Sequence, residues 1–164
     1  MYIKKGFTLI ETLFILFIII MISLMCSLRA ESYIKKDRLS ISCEELVNDL
    51  RYAKMTAVCK NKSTVRVLFL KDNGKGEYSE YIIYSASNIE EPSMVIKQVK
   101  LPPNVFISRG KSTFSQGDSE NRLIFYSKGN VKPACRIVLI DKETGREEEI
   151  TLTIGYTRIM RVKR

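Results

Sequence analysis

Apolar residues run almost unbroken from Phe7 to Leu28, and Glu11 is the only charged side chain among them. A run of about 22 residues that is apolar on every side is long enough to cross a bilayer as a helix. Beyond Arg29 the pattern changes character without stopping. Leu39, Cys43, Leu46, Val47, Leu50, Ala53, Ala57 and Val58 recur at spacings of three and four, which predicts an amphipathic helix with a single apolar stripe. Glu44, Glu45, Asp49, Arg51 and Lys54 fall largely between them. Neither proline nor glycine interrupts the chain from Phe7 to Lys60, so one helix on the order of 80 Å long is expected. Its first half calls for lipid or other helices, and its second half calls for a sheet.

From Thr64 the period shortens to two. The segments TVRVLFL, EYSEYIIYSA, MVIKQVKL, NVFISR, RLIFYS, CRIVLID and EEITLTI are short and rich in branched and aromatic residues. Turn chemistry separates them at KDNGKG, Pro102-Pro103-Asn104, Gly129-Asn130 and KETGR. The polar GKSTFSQGDSEN reads as a flexible loop, and the tail YTRIMRVKR as a further edge strand. The expected class is α+β: a long N-terminal helix packed on an antiparallel β-sheet or sandwich of about seven short strands. No internal repeat is present.

The chain has 164 residues and a net charge of +9. Removing the apolar run leaves roughly 135 residues, enough for one core and not two. There is no histidine, which excludes histidine-based nucleophile triads and histidine metal sites, and no CxxC spacing suited to zinc. The glutamates at 147 to 149 read as a solvated strand start rather than an acid pair. Asp72-Asn73-Gly74 lacks the further ligands of a calcium loop and reads as a hairpin turn. No catalytic constellation, metal site or cofactor site emerges, so the chain is expected not to be an enzyme. Of the four cysteines, Cys26 lies in the apolar run. Cys59 and Cys135 border expected core elements and are the candidate disulfide, with buried free thiols as the competing reading.

Glu11 remains to be explained, because a carboxylate in lipid costs several kcal/mol without a partner. The stretch KKGFTLIE around it resembles the cleavage and methylation motif of type IV prepilins and pseudopilins: a basic pair, a glycine, a phenylalanine, and a glutamate five residues past the glycine. In that family a membrane prepilin peptidase cuts after the glycine and methylates the new amino terminus. The resemblance therefore implies cleavage after Gly6, methylation of Phe7, and an assembly role for Glu11 against the α-amino group of a neighbouring subunit's Phe7. It divides the chain into a leader (residues 1–6), a transmembrane half-helix (7–28), an amphipathic half-helix (29–62) and a C-terminal β domain (63–164). It also implies a single-pass protein of the cytoplasmic (inner) membrane, with the C-terminal domain extracytoplasmic. Counting Lys4 and Lys5 before the span against Arg29, Lys35, Lys36 and Arg38 after it argues for the opposite orientation. Processing requires a cytoplasmic leader, and that consideration prevails.

The remainder narrows the resemblance. Leu50, Ala53, Lys54, Ala57 and Asn61 occupy the places of a helix-end pattern similar to that of GspH/FimT-type minor pseudopilins, with Lys54 for the usual arginine. Phe125 and Gly129 resemble the family's F-x-x-x-G turn. A ComGD-type competence pseudopilin has a similar layout. The implied function is that of a minor subunit of a type IV filament-type machine serving secretion, pili or DNA uptake. The implied partners are other pilin subunits, the prepilin peptidase and membrane lipid. The alternative is a DNA-binding minor pilin. Similar DNA-uptake proteins carry a C-terminal Gly-Arg-x-Arg, whereas here Gly155 is followed by Tyr156, Thr157 and Arg158. On that reading Tyr156, Arg158, Arg161, Lys163 and Arg164 would contact DNA through phosphates and base stacking.

Overall fold

The computed structural model describes residues 8–60, 64–72, 76–86, 94–114, 121–153 and 158–163. One helix, α1, covers Leu9–Cys59, as the absence of helix breakers predicts. The chain divides into two compact units, Met1–Asp37 and Arg38–Arg164.

In the second unit the predicted stripe is the helix's buried face. Leu39, Cys43, Leu46, Val47, Leu50, Ala53 and Ala57 are all buried, while Val58 is exposed. Among the described residues they share one core with nine strands: β1 (Thr64–Asp72), β2 (Glu77–Ala86), β3 (Met94–Lys100), β4 (Val105–Ser108), β5 (Arg122–Phe125), β6 (Val131–Lys132), β7 (Cys135–Asp141), β8 (Glu147–Leu152) and β9 (Ile159–Lys163). All pairings are antiparallel and join one sheet in the order β6-β5-β1-β2-β4-β7-β8-β9, with β3 attached to β2. The sandwich alternative is thus not realised. The helix covers the core side of a single sheet, so no second sheet is needed to bury it.

Alternation places Val65, Val67 and Phe69 of β1, and Ile137 and Leu139 of β7, in the core. On β2 the alternation breaks. The register jumps between Leu70 and Lys71, which face Glu80 and Tyr78, so Ser79 is the extra residue of a bulge. The bulge turns both Tyr78 and Tyr81 inward, where they meet Phe69 at ring-centroid distances of 6.2 and 6.4 Å.

In the loop expected at residues 110–121, the described residues 110–114 are tied to the core. Phe114 is fully buried, its ring 4.5 Å from that of Phe69. Ser112 Oγ accepts the Val138 N–H at 3.0 Å, and Thr113 N–H donates to the Arg136 carbonyl at 2.8 Å. The predicted KETGR turn is built on Asp141. Its carboxylate accepts the Glu143 N–H at 2.9 Å and the Thr144 hydroxyl at 2.8 Å, an Asx-type turn.

Candidate assembly site

The first unit presents a chemical contradiction in water. Every described side chain from residue 8 to residue 25 is exposed, and Leu9, Ile10, Phe14, Leu24 and Met25 are among the most open. At about 25 cal/mol per Å2, leaving such a helix in water forgoes on the order of 1.5–3 kcal/mol for each large apolar side chain. Two of its hydroxyls are already satisfied internally: Thr12 Oγ1 donates to the Leu9 carbonyl and Ser23 Oγ to the Ile19 carbonyl, each at 2.8 Å. Such back-bonding suits an apolar medium. Glu11, in the first turn, has no side-chain partner among the described residues. Among those residues no helix is long and apolar enough to cross a membrane. The described apolar stretch, residues 9–25, is about 25 Å long at 1.5 Å per residue, below the roughly 30 Å of a hydrocarbon core.

In the second unit two polar clamps hold α1 on the sheet. Adjacent residues on a helix point about 100° apart, so Glu44 and Glu45 reach opposite flanks. On one flank Glu44 accepts Arg161 Nη1 at 2.6 Å. The same guanidinium grips Glu148 of β8 with Nε at 2.6 Å and Nη2 at 2.7 Å, and it donates to Ser40 Oγ at 2.5 Å. On the other flank Lys97 of β3 donates to Glu45 at 3.2 Å and to both oxygens of Asp49 at 2.8 Å. Tyr81 completes that group by donating its hydroxyl to Asp49 at 2.7 Å. Asp49 and Glu148 are both buried.

The electrostatics follow from these contacts. Hydrogen bonds to Glu148, outweighing the opposing effect of burial, hold Arg161 above its ordinary range. Burial pulls the Lys97 ammonium down, but hydrogen bonds to Asp49 and Glu45 prevail and raise it. Burial, reinforced by the hydrogen bond to Asp49, pushes the Tyr81 hydroxyl up.

No protein-family model matches the chain, and no curated protein sequence does either. Among solved structures, two crystal forms of the type IV minor pilin FimU of Pseudomonas aeruginosa are similar to it. They superpose with TM-scores of 0.57 and 0.58 at 16% and 17% identity. Each match covers 76% of this chain, and 92% and 88% of the respective FimU chains. The fold is that of a type IV minor pilin.

Within the minor pilin fold the predicted sites are distributed unevenly. Gly6 and Phe7 lie outside the described residues, as do Tyr156, Arg164 and the side chain of Lys163. Of the basic tail, Arg158 is exposed, whereas Arg161 is not a free cation. Its side chain is only 13% exposed and is held by two carboxylates, so β9 turns it toward the helix and away from solvent. Arg161, expected to contact DNA, is thus engaged by carboxylates within the fold. The Cys59–Cys135 disulfide is also corrected, because both are free thiols. Cys59 is exposed at the end of α1 while Cys135 is buried at the start of β7, so the two sulfurs face different environments. The predicted F-x-x-x-G turn is present: Phe125 is buried and Gly129 adopts φ +78°. A Cβ at Gly129 would lie 3.5 Å from Lys54 Cε and 3.6 Å from Val58 Cγ2, so this turn rests against the end of the helix.

Two roles escaped the sequence reading: Arg161 as the clamp of the last strand, and Asp49 as a buried acceptor. The spacing of Asp49 from Leu46 and Ala53, at three and four residues, is the signal that placed it beside the apolar stripe. The glutamates at 147 to 149 divide by parity. Glu148 faces the helix, while Glu147 pairs with Lys111 and Glu149 lies 3.9 Å from Arg136 on the other face. Among the described residues no group of three or more side chains is arranged to hold a metal ion.

The buried thiols make stability fall at alkaline pH. Burial, with Glu148 beside it, pushes Cys43 from 9.0 up to about 12, and burial alone pushes Cys135 up to about 12. A raised folded-state pKa means that the unfolded chain loses its proton first as pH rises. The protective contribution is complete below pH 9 and is lost between 9 and about 12. Each thiol contributes at most about 1.4 kcal/mol per pH unit there. Urea melts of the reduced protein should show ΔG falling from pH 9 to 11, and Cys135→Ala should flatten that fall. An unchanged slope in the variant contradicts the assignment.

Proposed function

We propose that the chain is a membrane-anchored minor subunit of a type IV filament-type assembly. The observation that carries this reading is the exposed apolar helix of residues 9–25, borne by a chain with the minor pilin fold. Such a helix is stable when inserted in lipid or packed among equivalent helices of other subunits. A filament supplies the second environment and a bilayer the first. In this reading residues 1–6 are the leader, cleavage follows Gly6, and Phe7 becomes the methylated amino terminus. Glu11 then meets the amino group of a neighbouring subunit. The soluble unit, fixed to its helix by the two clamps, forms the outer surface of the assembly and performs no chemistry of its own.

The test is the mass of the protein extracted from membranes of cells with an active prepilin peptidase. The expected species begins at Phe7 and carries one added methyl group. A protein that still begins at Met1 in those cells overturns the proposal.

A further inference from the structure

Among the described residues the sheet has three edge strands, β6, β9 and β3, because β3 and β4 share one side of β2 and only β4 carries the sheet onward. The edge of β3 is the longest of them. Leu101 N–H donates to the Ser79 carbonyl at 2.8 Å, and Val99 and Lys97 lie opposite Tyr81 and Ile83 in the same register. Antiparallel strands exchange backbone hydrogen bonds at every second pair, so residues 97, 99 and 101 turn their N–H and C=O groups to β2. Those of Gln98 and Lys100 point the other way, where no strand pairs with them among the described residues.

Apolar side chains stand beside this edge. Lys97 binds Glu45 and Asp49, which fixes that flank of α1 over β3. Helical residues three apart are neighbours, so Tyr52 follows Asp49 along the flank. Asp49 meets Tyr81, while Lys54 and Val58 meet the turn after β5, whose Phe125 is in register with Val65, Ser85 and Met94. Tyr52 and Met94 are therefore both displaced from Lys97 toward the C-terminal end of α1. Tyr52 is 53% exposed and Met94 is 61% exposed. Met94 shares the helix side of the sheet with its register partners Ser85 and Val65, both buried. Gln98 and Lys100 flank the buried Val99 and so point to the opposite face. On that face the edge runs out at a cleft of about 540 Å3 whose lining includes Lys100, Pro103, Phe106 and Lys142.

Charge selects the occupant. Lysines on sheet edges oppose pairing with further copies. All three edges are cationic, with Lys132 in β6, Lys97 and Lys100 in β3, and Arg161 and Lys163 in β9, and none contains an acid. A second copy would set like charges across the seam, which is destabilising. Helix carboxylates neutralise Lys97 and Arg161. Glu80, opposite Lys100 in the register, accepts a hydrogen bond from Gln98 instead. We propose that β3 takes up an extended, acidic segment of a partner protein as an added strand. The backbone of that segment bonds Gln98 and Lys100, its apolar side chains lie against Tyr52 and Met94, and its carboxylates alternate to the other face beside Lys100. Membrane anchoring, cleavage and filament formation are not premises of this inference.

The experiment uses the full chain in non-ionic detergent, with a blocked octapeptide of alternating valine and glutamate as the probe. Saturating peptide should slow hydrogen exchange of the Gln98 and Lys100 amides at least about tenfold, and leave those of Lys97 and Val99 nearly unchanged. Only every second N–H of an added strand faces its neighbour. Of two peptides N-methylated on all valines or on all glutamates, one should therefore lose binding and the other retain it. A valine–lysine peptide should bind at least about tenfold more weakly. Gln98→Pro should do the same to the parent peptide while the chain still folds, since its N–H faces away from β2. Lys100→Glu, an exposed substitution, should reverse the preference between the two peptides. Absence of binding at about 1 mM peptide overturns the proposal. So does binding that leaves both amides fast, or equal binding of both methylated peptides. Slow exchange of both amides in the free chain also overturns it. If that protection rises with protein concentration, a second copy occupies the edge; if it does not, another segment of the same chain does.

Discussion

Arg161→Met should lower the stability of the second unit by about 3–5 kcal/mol, because it leaves the buried carboxylate of Glu148 without its partner. For a unit of this size that corresponds to a fall in melting temperature of roughly 10–20 °C. The effect should come from Glu148 rather than Glu44, whose side chain is 65% exposed. Glu44→Gln should therefore cost less than about 1 kcal/mol. In the double variant Arg161→Met with Glu148→Leu, most of the loss should return, since an apolar pair of similar volume replaces a buried ion pair at little cost. Thermal melts of the full chain in detergent measure all four proteins. An Arg161→Met variant that melts within a few degrees of the parent would show that the clamp is not structural.

The second large effect is expected at Glu11. Alanine there should reduce recovery in sheared filaments at least about tenfold, which corresponds to losing some 1.4 kcal/mol of a partly desolvated charge contact. Membrane insertion should be preserved or improved, because the substitution removes the only charge of the apolar run. Cleavage after Gly6 should also persist. Measuring the membrane-bound and filament-bound fractions of the same culture separates assembly from insertion. Equal recovery of variant and parent would remove Glu11 from the assembly contact.

Much of the architecture was legible because periodicity reports burial directly. The helix stripe, the strands other than β6 and the turns at Gly129 and KETGR all follow from spacing and turn chemistry. β6 escaped because two residues, Val131 and Lys132, are too few to show an alternation. The inward Tyr78 and Tyr81 were equally hidden, since a bulge at Ser79 shifts parity without leaving a composition signal. Polar roles were the hardest to read. Arg161 sits in a basic tail whose local pattern is that of a solvated terminus, and only pairing with β8 and proximity to α1 turn it inward. The cysteines show the same limit, because bordering a core element does not tell which way a sulfur points. The motif KKGFTLIE was read by a resemblance in linear sequence, which needs no tertiary context.

The clamp at Arg161 joins residues 121 and 117 positions away in the chain, at Ser40 and Glu44. Contacts of such separation form late, since the entropy of closing the intervening loop must be met before they stabilise anything. A chain synthesised from its amino terminus exposes the apolar stripe from Leu39 to Ala57 well before β8 and β9 exist to cover its flank. Over that interval the nascent protein is open to aggregation even though its finished fold is well secured. Yield in the cell is then governed by how long the helix waits for the last strand, and by what shields it meanwhile.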